Sequence, residues 1–170
     1  MQKLVLIVGN GGAGKRTNGQ LLYSKLPRAS WTHMRWMTAL QIWEPNAHFD
    51  DLLIRNAAAV IGNYLDEGVD PAILSGGIFT QAHLDRLLAL LNRPLDVRYF
   101  WLHLPDDLRA SRLINRARDS GDTPESVREL VAKYTSAQPE LSIPVGSFNV
   151  IDVSKKDPVE IVENMIDLIR

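Results

Sequence analysis

Nine residues near the start, Gly9-Asn10-Gly11-Gly12-Ala13-Gly14-Lys15-Arg16-Thr17, constrain the fold more than any other stretch of the chain. They follow Lys3 to Val8, a short run of Leu, Val and Ile after the lysine that reads as a strand buried on both faces of a parallel sheet. From about Lys15 to Leu26 the pattern turns helical, and Pro27 stops it. A strand that passes through glycines straight into a helix, on the pattern G-x-x-x-x-G-K, is suited to holding an anion. Glycines let the backbone turn successive N–H groups toward one point. The helix N-terminus adds partial positive charge, and Lys15 can reach the β- and γ-phosphates of a nucleotide. The plainer alternative is a glycine-rich turn with no ligand, but strand, loop, lysine and helix occur in the order that phosphate binding requires. Gly9, Gly11, Gly12, Ala13, Gly14, Lys15, Arg16 and Thr17 are therefore the expected phosphate cradle.

One position in that cradle departs from the pattern. The residue after the lysine is normally Ser or Thr, whose hydroxyl touches Mg²⁺, and here it is Arg16. Thr17 still offers a hydroxyl to a phosphate oxygen or a metal. The Arg16 guanidinium either occupies the place of the metal or points into solvent, and both readings stand at this level.

The rest of the chain alternates strands and helices. Arg28 to Trp31, Ala72 to Leu74, Val97 to Leu104 and Phe148 to Val153 are the further strands. Helices are expected over Phe49 to Glu67, around Leu84, Leu87, Leu88 and Leu91, over Asp106 to Arg118, over Thr123 to Thr135, and from Asp157 onward. That last helix opens with an Asp cap, a Pro in the first helical position and a Glu three residues after the cap. Strands and helices at this spacing form a parallel sheet covered on both sides, an α/β three-layer sandwich. With 170 residues the chain suits one domain, 1–170, with a short lid around 109–124.

Charge and composition narrow the class of partner. Lys and Arg number 19 against 20 Asp and Glu, a net charge of −1, so no overall field favours a nucleic acid. The absence of cysteine excludes a disulfide scaffold, a thiolate metal site and a cysteine nucleophile. Leu4 to Val8 is too short for a signal peptide or a membrane span. Together these features predict a soluble, cytoplasmic protein whose partners are small molecules.

On these residues the chain resembles the small P-loop kinases of nucleosides, nucleotides and other metabolites. Gly14-Lys15-Arg16-Thr17 is similar to the G-K-G-T of adenylate kinases, which also lack a hydroxyl just after the lysine. Asp122-Thr123-Pro124-Glu125 is similar to the segment that follows the lid in that family. The stretch from Trp43-Glu44-Pro45 through Ile73-Leu74, with Leu84 to Leu91, looks closer to a bacterial group of short, lid-poor ATP-binding kinases. The resemblance implies a five-stranded sheet in the order 2-3-1-4-5, ATP as phosphoryl donor and Mg²⁺ as cofactor. Two further departures join Arg16. The family places an acidic residue after the second strand in a D-x-x-R arrangement, where this chain has Thr32-His33-Met34-Arg35. It also ends the third strand with an Asp that organises the water shell of the metal, a place that falls on Ser75.

Candidates for the missing roles follow from position. His33 lies nearest the lost acid and is either a base near neutral pH or a packed histidine. Arg35 matches the family arginine and would hold an anionic group of the acceptor. Trp31, Trp36 and Trp43 form either a stacking wall for a ring-shaped acceptor, with Trp36 on it, or ordinary packing. Asp70 reads as a turn residue, and Glu44, Asp50 and Asp51 as a possible acceptor carboxylate or helix caps. Ala110, Leu113, Ile114 and Ala117 form the expected apolar stripe of their helix, with Arg109, Arg112 and Arg116 opposite. Those arginines are either a solvated face or a lid over the phosphates, and family position favours Arg112 and Arg116 for the catalytic role beside Lys15 and His33. The expected function is an ATP-dependent phosphotransferase acting on a small molecule, nucleoside or nucleotide. The rival is a non-catalytic nucleotide- or anion-binding protein on the same fold, since fold does not dictate function.

Overall fold

In the computed structural model, residues 1–37, 47–119 and 148–170 are described. Strand β1 (Lys3–Gly9) is the centre of the molecule. Its side chains alternate between two cores: Leu4, Leu6 and Val8 face one way, Val5 and Ile7 the other, and none is more than 1% exposed. The uninterrupted apolar run therefore serves two layers at once, which explains why no polar residue interrupts it.

Around β1 the parallel sheet is built in the order β2-β3-β1-β4-β5, the five-stranded arrangement that the resemblance implied. Strand β3 (Ala72–Ser75) pairs with β1 from Leu4↔Ala72 to Ile7↔Ser75, and β4 (Asp96–His103) pairs with its other side from Lys3↔Asp96 to Gly9↔Leu102. Strand β2 (Ser30–His33) lies outside β3, and β5 (Asn149–Asp152) outside β4. Strand β2 begins two residues later than the expected Arg28. Arg28 instead adopts a positive φ of 60°, and its side chain donates to the carbonyl of Gly68 (2.9 Å).

Helices α1 (Lys15–Lys25) and α5 (Pro158–Ile169) contribute to one core, with Leu22, Ile161, Val162 and Met165 against Val5 and Ile7. Helices α2 (Ala47–Asp66) and α3 (Gln81–Leu91) cover the opposite face through Ile54, Ala57, Ile61, Leu84 and Leu87. Helix α4 (Asp106–Asp119) follows β4. The cap expected at the start of α5 is complete: Asp157 accepts from the amides of Val159 and Glu160, and the Glu160 carboxylate accepts from the amide of Asp157. The helix expected over Thr123 to Thr135 lies outside the described residues, as do Trp43, Glu44, the Asp122-Thr123-Pro124-Glu125 segment and the distal part of the 109–124 lid. Among the described residues no helix is long and apolar enough to cross a membrane.

Candidate functional site

Parallel strands all end at the same edge of a sheet, and in open α/β sheets that carboxyl edge is where ligands bind. The topology brings Gly9 at the end of β1, His33 at the end of β2 and Ser75 at the end of β3 to this edge, with His33 in register with Ser75 and Ile7 in register with Ser75 on the other side. Asp70 lies at the opposite end, where its Oδ1 accepts from the amide of Lys3 at 2.8 Å, as expected for a turn residue.

The glycine loop turns between β1 and α1 in a conformation that only glycine adopts cheaply. Gly12 and Gly14 have φ of 84° and 82°, and Gly14 is the left-handed residue immediately before the helix. Gly9 is required for another reason: a Cβ there would stand 2.6 Å from the carbonyl oxygen of Leu102 on β4. The Lys15 ammonium reaches back across the loop and donates to the carbonyls of Gly9 (2.7 Å) and Asn10 (2.9 Å). It is thus held at the mouth of the loop by uncharged acceptors, which a phosphate can replace with a charge-assisted bond. Asn18, one turn into α1, is 2% exposed and ties its Nδ2 to the Gly14 carbonyl at 2.9 Å, fixing the loop to the helix.

The third-strand position has been absorbed into packing. Ser75 is fully buried, its Oγ accepting from the Trp31 indole (3.1 Å) and donating to the carbonyl of Thr32 (3.4 Å). Trp31 in turn packs on Gly19 of α1 so closely that a Cβ there would stand 2.5 Å from its Nε1. The Ser75 hydroxyl expected to serve a metal is therefore engaged by β2 on both its donor and acceptor sides. Beyond it, Gly76 and Gly77 turn the chain under His33 and Met34, and the buried Tyr99 hydroxyl donates to the carbonyl of Ile78. Burial pushes the Tyr99 phenol well above its ordinary range, so it remains a donor.

An aromatic group stands beside the loop. The 3₁₀ turn over Met34–Met37 presents Trp36, half exposed at 49%, edge-on to Trp31 with ring centroids 4.8 Å apart. His33 lies 5.9 Å from the Trp36 ring. The guanidinium carbon of exposed Arg16 stands 5.9 Å from the centroid of the same ring, within cation–π range. Arg16 is thus exposed to solvent, one of the two orientations foreseen from sequence, and rests there against Trp36. Arg35 belongs to the same turn. Trp31 is chiefly a packing residue, and Trp36 is the exposed ring of the group.

Helix α4 departs from the expected stripe. Arg109, expected on its outer face, is 2% exposed, while Ile114, expected inside, is 37% exposed. The buried pair is Arg109 and Leu113, one helical turn apart, and both lie against Gly12: a Cβ on that glycine would be 3.5 Å from Arg109 Cγ and 3.7 Å from Leu113 Cγ. Arg109 contacts exposed Asp106 at 3.4 Å, and its buried Nη1 has no hydrogen-bond partner among the described residues. Arg112 donates to the carbonyl of Val153 (2.9 Å), bracing α4 against the loop after β5. In that loop the hydroxyl and amide of Ser154 hold the Asp152 carboxyl below the usual carboxylate range. Arg116 lies on the same helix as Arg112. Asp51 is committed elsewhere: Arg86 (2.8 Å) and Arg55 (3.0 Å) hold it as a link between α2 and α3 and keep its carboxyl below the ordinary value. Asp50 lies in the first turn of α2.

Solved structures with this fold include several kinases. A sugar kinase from a Janibacter species superposes with a TM-score of 0.70 at 16% identity, covering 98% of this chain and 94% of its own. A gluconokinase from Sinorhizobium meliloti gives 0.66 at 17% identity, covering 98% and 91%. The tunicamycin resistance protein of Deinococcus radiodurans gives 0.61 at 17% identity, covering 99% and 96%. No protein-family model and no curated protein sequence matches the chain.

Proposed function

We propose that this chain is an ATP-dependent phosphotransferase that acts on a small hydroxyl-bearing molecule. The observation that carries the reading is Lys15, held by two carbonyls at the mouth of a glycine loop whose helix and strand meet at the carboxyl edge of the sheet. The loop amides and Lys15 receive the β- and γ-phosphates, with Thr17 offering its hydroxyl at the first turn of α1. His33 and Trp36 then face the acceptor, with Arg35 nearby in sequence to pair with an anionic group on it. The acceptor hydroxyl gives its proton to His33, its oxygen forms the new bond to the γ-phosphorus, and the bond from that phosphorus to the ADP oxygen breaks. Lys15 faces the charge that spreads over the transferred group, and Arg112 and Arg116 are the α4 arginines proposed to assist it. The kinase relatives in fold favour sugars and sugar acids as the first acceptors to test.

The resemblance implies Mg²⁺, and the donor set does not fit it. Arg16 brings a cation to the position after the lysine, and the Ser75 hydroxyl is spent on Trp31 and Thr32. The engagement of Ser75 also favours a second reading, a nucleotide-binding protein without turnover.

Two measurements separate these readings. ADP release that requires an added sugar, sugar acid or nucleoside supports the kinase, whereas ATP binding with no turnover across such a panel supports the binder. Lys15→Ala is expected to weaken ATP binding by about tenfold or more, the equivalent of about 1.4 kcal/mol, while leaving the circular dichroism spectrum unchanged. Unaltered affinity in that variant overturns the site itself.

A further inference from the structure

We infer that the triphosphate is neutralised here by two arginines of the chain, Arg16 and Arg109, and that the site takes free ATP in place of the Mg²⁺ complex. The inference rests on the nucleotide-binding reading above and goes beyond it in naming the ionic form of the ligand.

Two independent observations carry it. The first is the fate of the metal-side positions. The residue after Lys15 is a permanently charged guanidinium that replaces the usual hydroxyl, and a Mg²⁺ within its reach would meet like charge. At the end of β3 there is a neutral hydroxyl, fully buried, with its proton directed to Thr32 and its lone pair to Trp31. Neither position offers the anionic oxygen that a hard divalent cation prefers.

The second is Arg109. Arg109 is only 2% exposed, and its Cγ lies 3.5 Å from where a Cβ on Gly12 would stand, in the middle of the loop that would cradle the phosphates. Among the described residues its ion-pair partner is Asp106, 78% exposed, and its Nη1 has no hydrogen-bond partner. A buried charge with an unsatisfied donor is costly to a fold unless something offsets it. A phosphate held by the loop that contains Gly12 would offset it, because the field of a buried charge is weakly screened. Arg109 thus brings a permanent positive charge on α4 to the neighbourhood of Gly12.

Arg16 is the movable one. It rests over Trp36 at 5.9 Å, exposed and at the first turn of α1, so rotation of its own side chain brings the guanidinium to the phosphates without any change of backbone. A guanidinium binds phosphate oxygens in a bidentate fork and needs no water shell to do so. When it leaves Trp36, the indole loses its cation, so arrival of the nucleotide alters the fluorescence of the aromatic group that faces the acceptor.

The test is calorimetric titration with ATP in EDTA and in excess Mg²⁺, on the intact chain and on Arg16→Ser. For the intact chain the dissociation constant in EDTA is expected to be within about threefold of that in Mg²⁺, or tighter, which is under 1 kcal/mol. For Arg16→Ser, an exposed substitution that restores the hydroxyl, Mg²⁺ is expected to tighten binding by about tenfold. A preference of the intact chain for the Mg²⁺ complex beyond threefold overturns the inference and leaves nucleotide binding standing. An Arg16→Ser variant with the same ratio as the intact chain removes Arg16 from the role and overturns it equally. Absence of heat in both buffers overturns nucleotide binding and this inference together. As a readout independent of ionic form, ATP in EDTA is expected to change tryptophan emission in the intact chain and to leave it unchanged in Trp36→Phe.

Discussion

Arg109 is the residue whose behaviour sequence periodicity misjudged, and the reason is physical. A stripe read from apolar residues alone puts Leu113 and Ile114 inside and every arginine outside. The structure instead buries Arg109 and Leu113, which lie one turn apart on the side facing Gly12, and leaves Ile114 exposed. The signal was present in the i, i+4 spacing, but charge on the first residue masked it. Because its Nη1 lacks a partner, Arg109 costs the fold more than an apolar side chain of similar length would. Arg109→Met is therefore expected to hold or raise stability to urea, by about 1 kcal/mol, while weakening ATP binding severalfold. A loss of more than about 2 kcal/mol in the urea midpoint analysis would show that the guanidinium is well satisfied in the folded chain. The glycine loop, by contrast, was legible at Gly12 and Gly14, whose φ near 80° is what glycine at those positions is for. The roles of Arg16 and Ser75 were not legible. Both depend on Trp31 and Trp36, which approach them only once β2 is laid beside β3.

At the level of elements, helices and strands followed their apolar periods closely. The β1 run, the α2 stripe and the α5 capping box all stand within two or three residues of where pattern and capping chemistry put them. Strand β2 shifted because four residues carry too little pattern to set a start, and the turn at Arg28 and Gly68 decided it. What no period encodes is how close two elements come. Gly19 sits in the middle of α1, where glycine costs about 1 kcal/mol relative to alanine on intrinsic preference alone. Its reason is Trp31, whose Nε1 would stand 2.5 Å from an added Cβ. Gly19→Ala consequently reverses the sign that helix propensity gives. The variant is expected to be less stable to urea by about 1–3 kcal/mol, the usual cost of overpacking. Its tryptophan emission should shift as Trp31 is pushed off Ser75. A stabilised variant would mean that the tryptophan yields freely, and that Ser75 is not firmly engaged.

For the molecule as a whole, the decisive fact is that the proposed site belongs to no single element. Its parts come from the ends of β1, β2 and β3, the start of α1 and the inner face of α4, and these meet only when the five-stranded sheet is assembled. A ligand bound there has nothing to hold in the unfolded chain, so its binding free energy adds to global stability. At a concentration of about one hundred times its dissociation constant, ATP contributes about 2.7 kcal/mol. For a chain of 170 residues, each kcal/mol moves the melting midpoint by about 2–4 °C, so ATP is expected to raise it by roughly 5–10 °C. Inorganic phosphate engages the loop alone and should shift the midpoint far less at the same concentration. Lys15→Ala should abolish most of the ATP shift while melting near the intact chain in the absence of ligand, because Lys15 bonds only to loop carbonyls that water can satisfy in its place. A calorimetric scan that shows equal shifts with ATP and phosphate would place the anion site in the loop but deny it the triphosphate. No shift with either would remove the loop from function altogether.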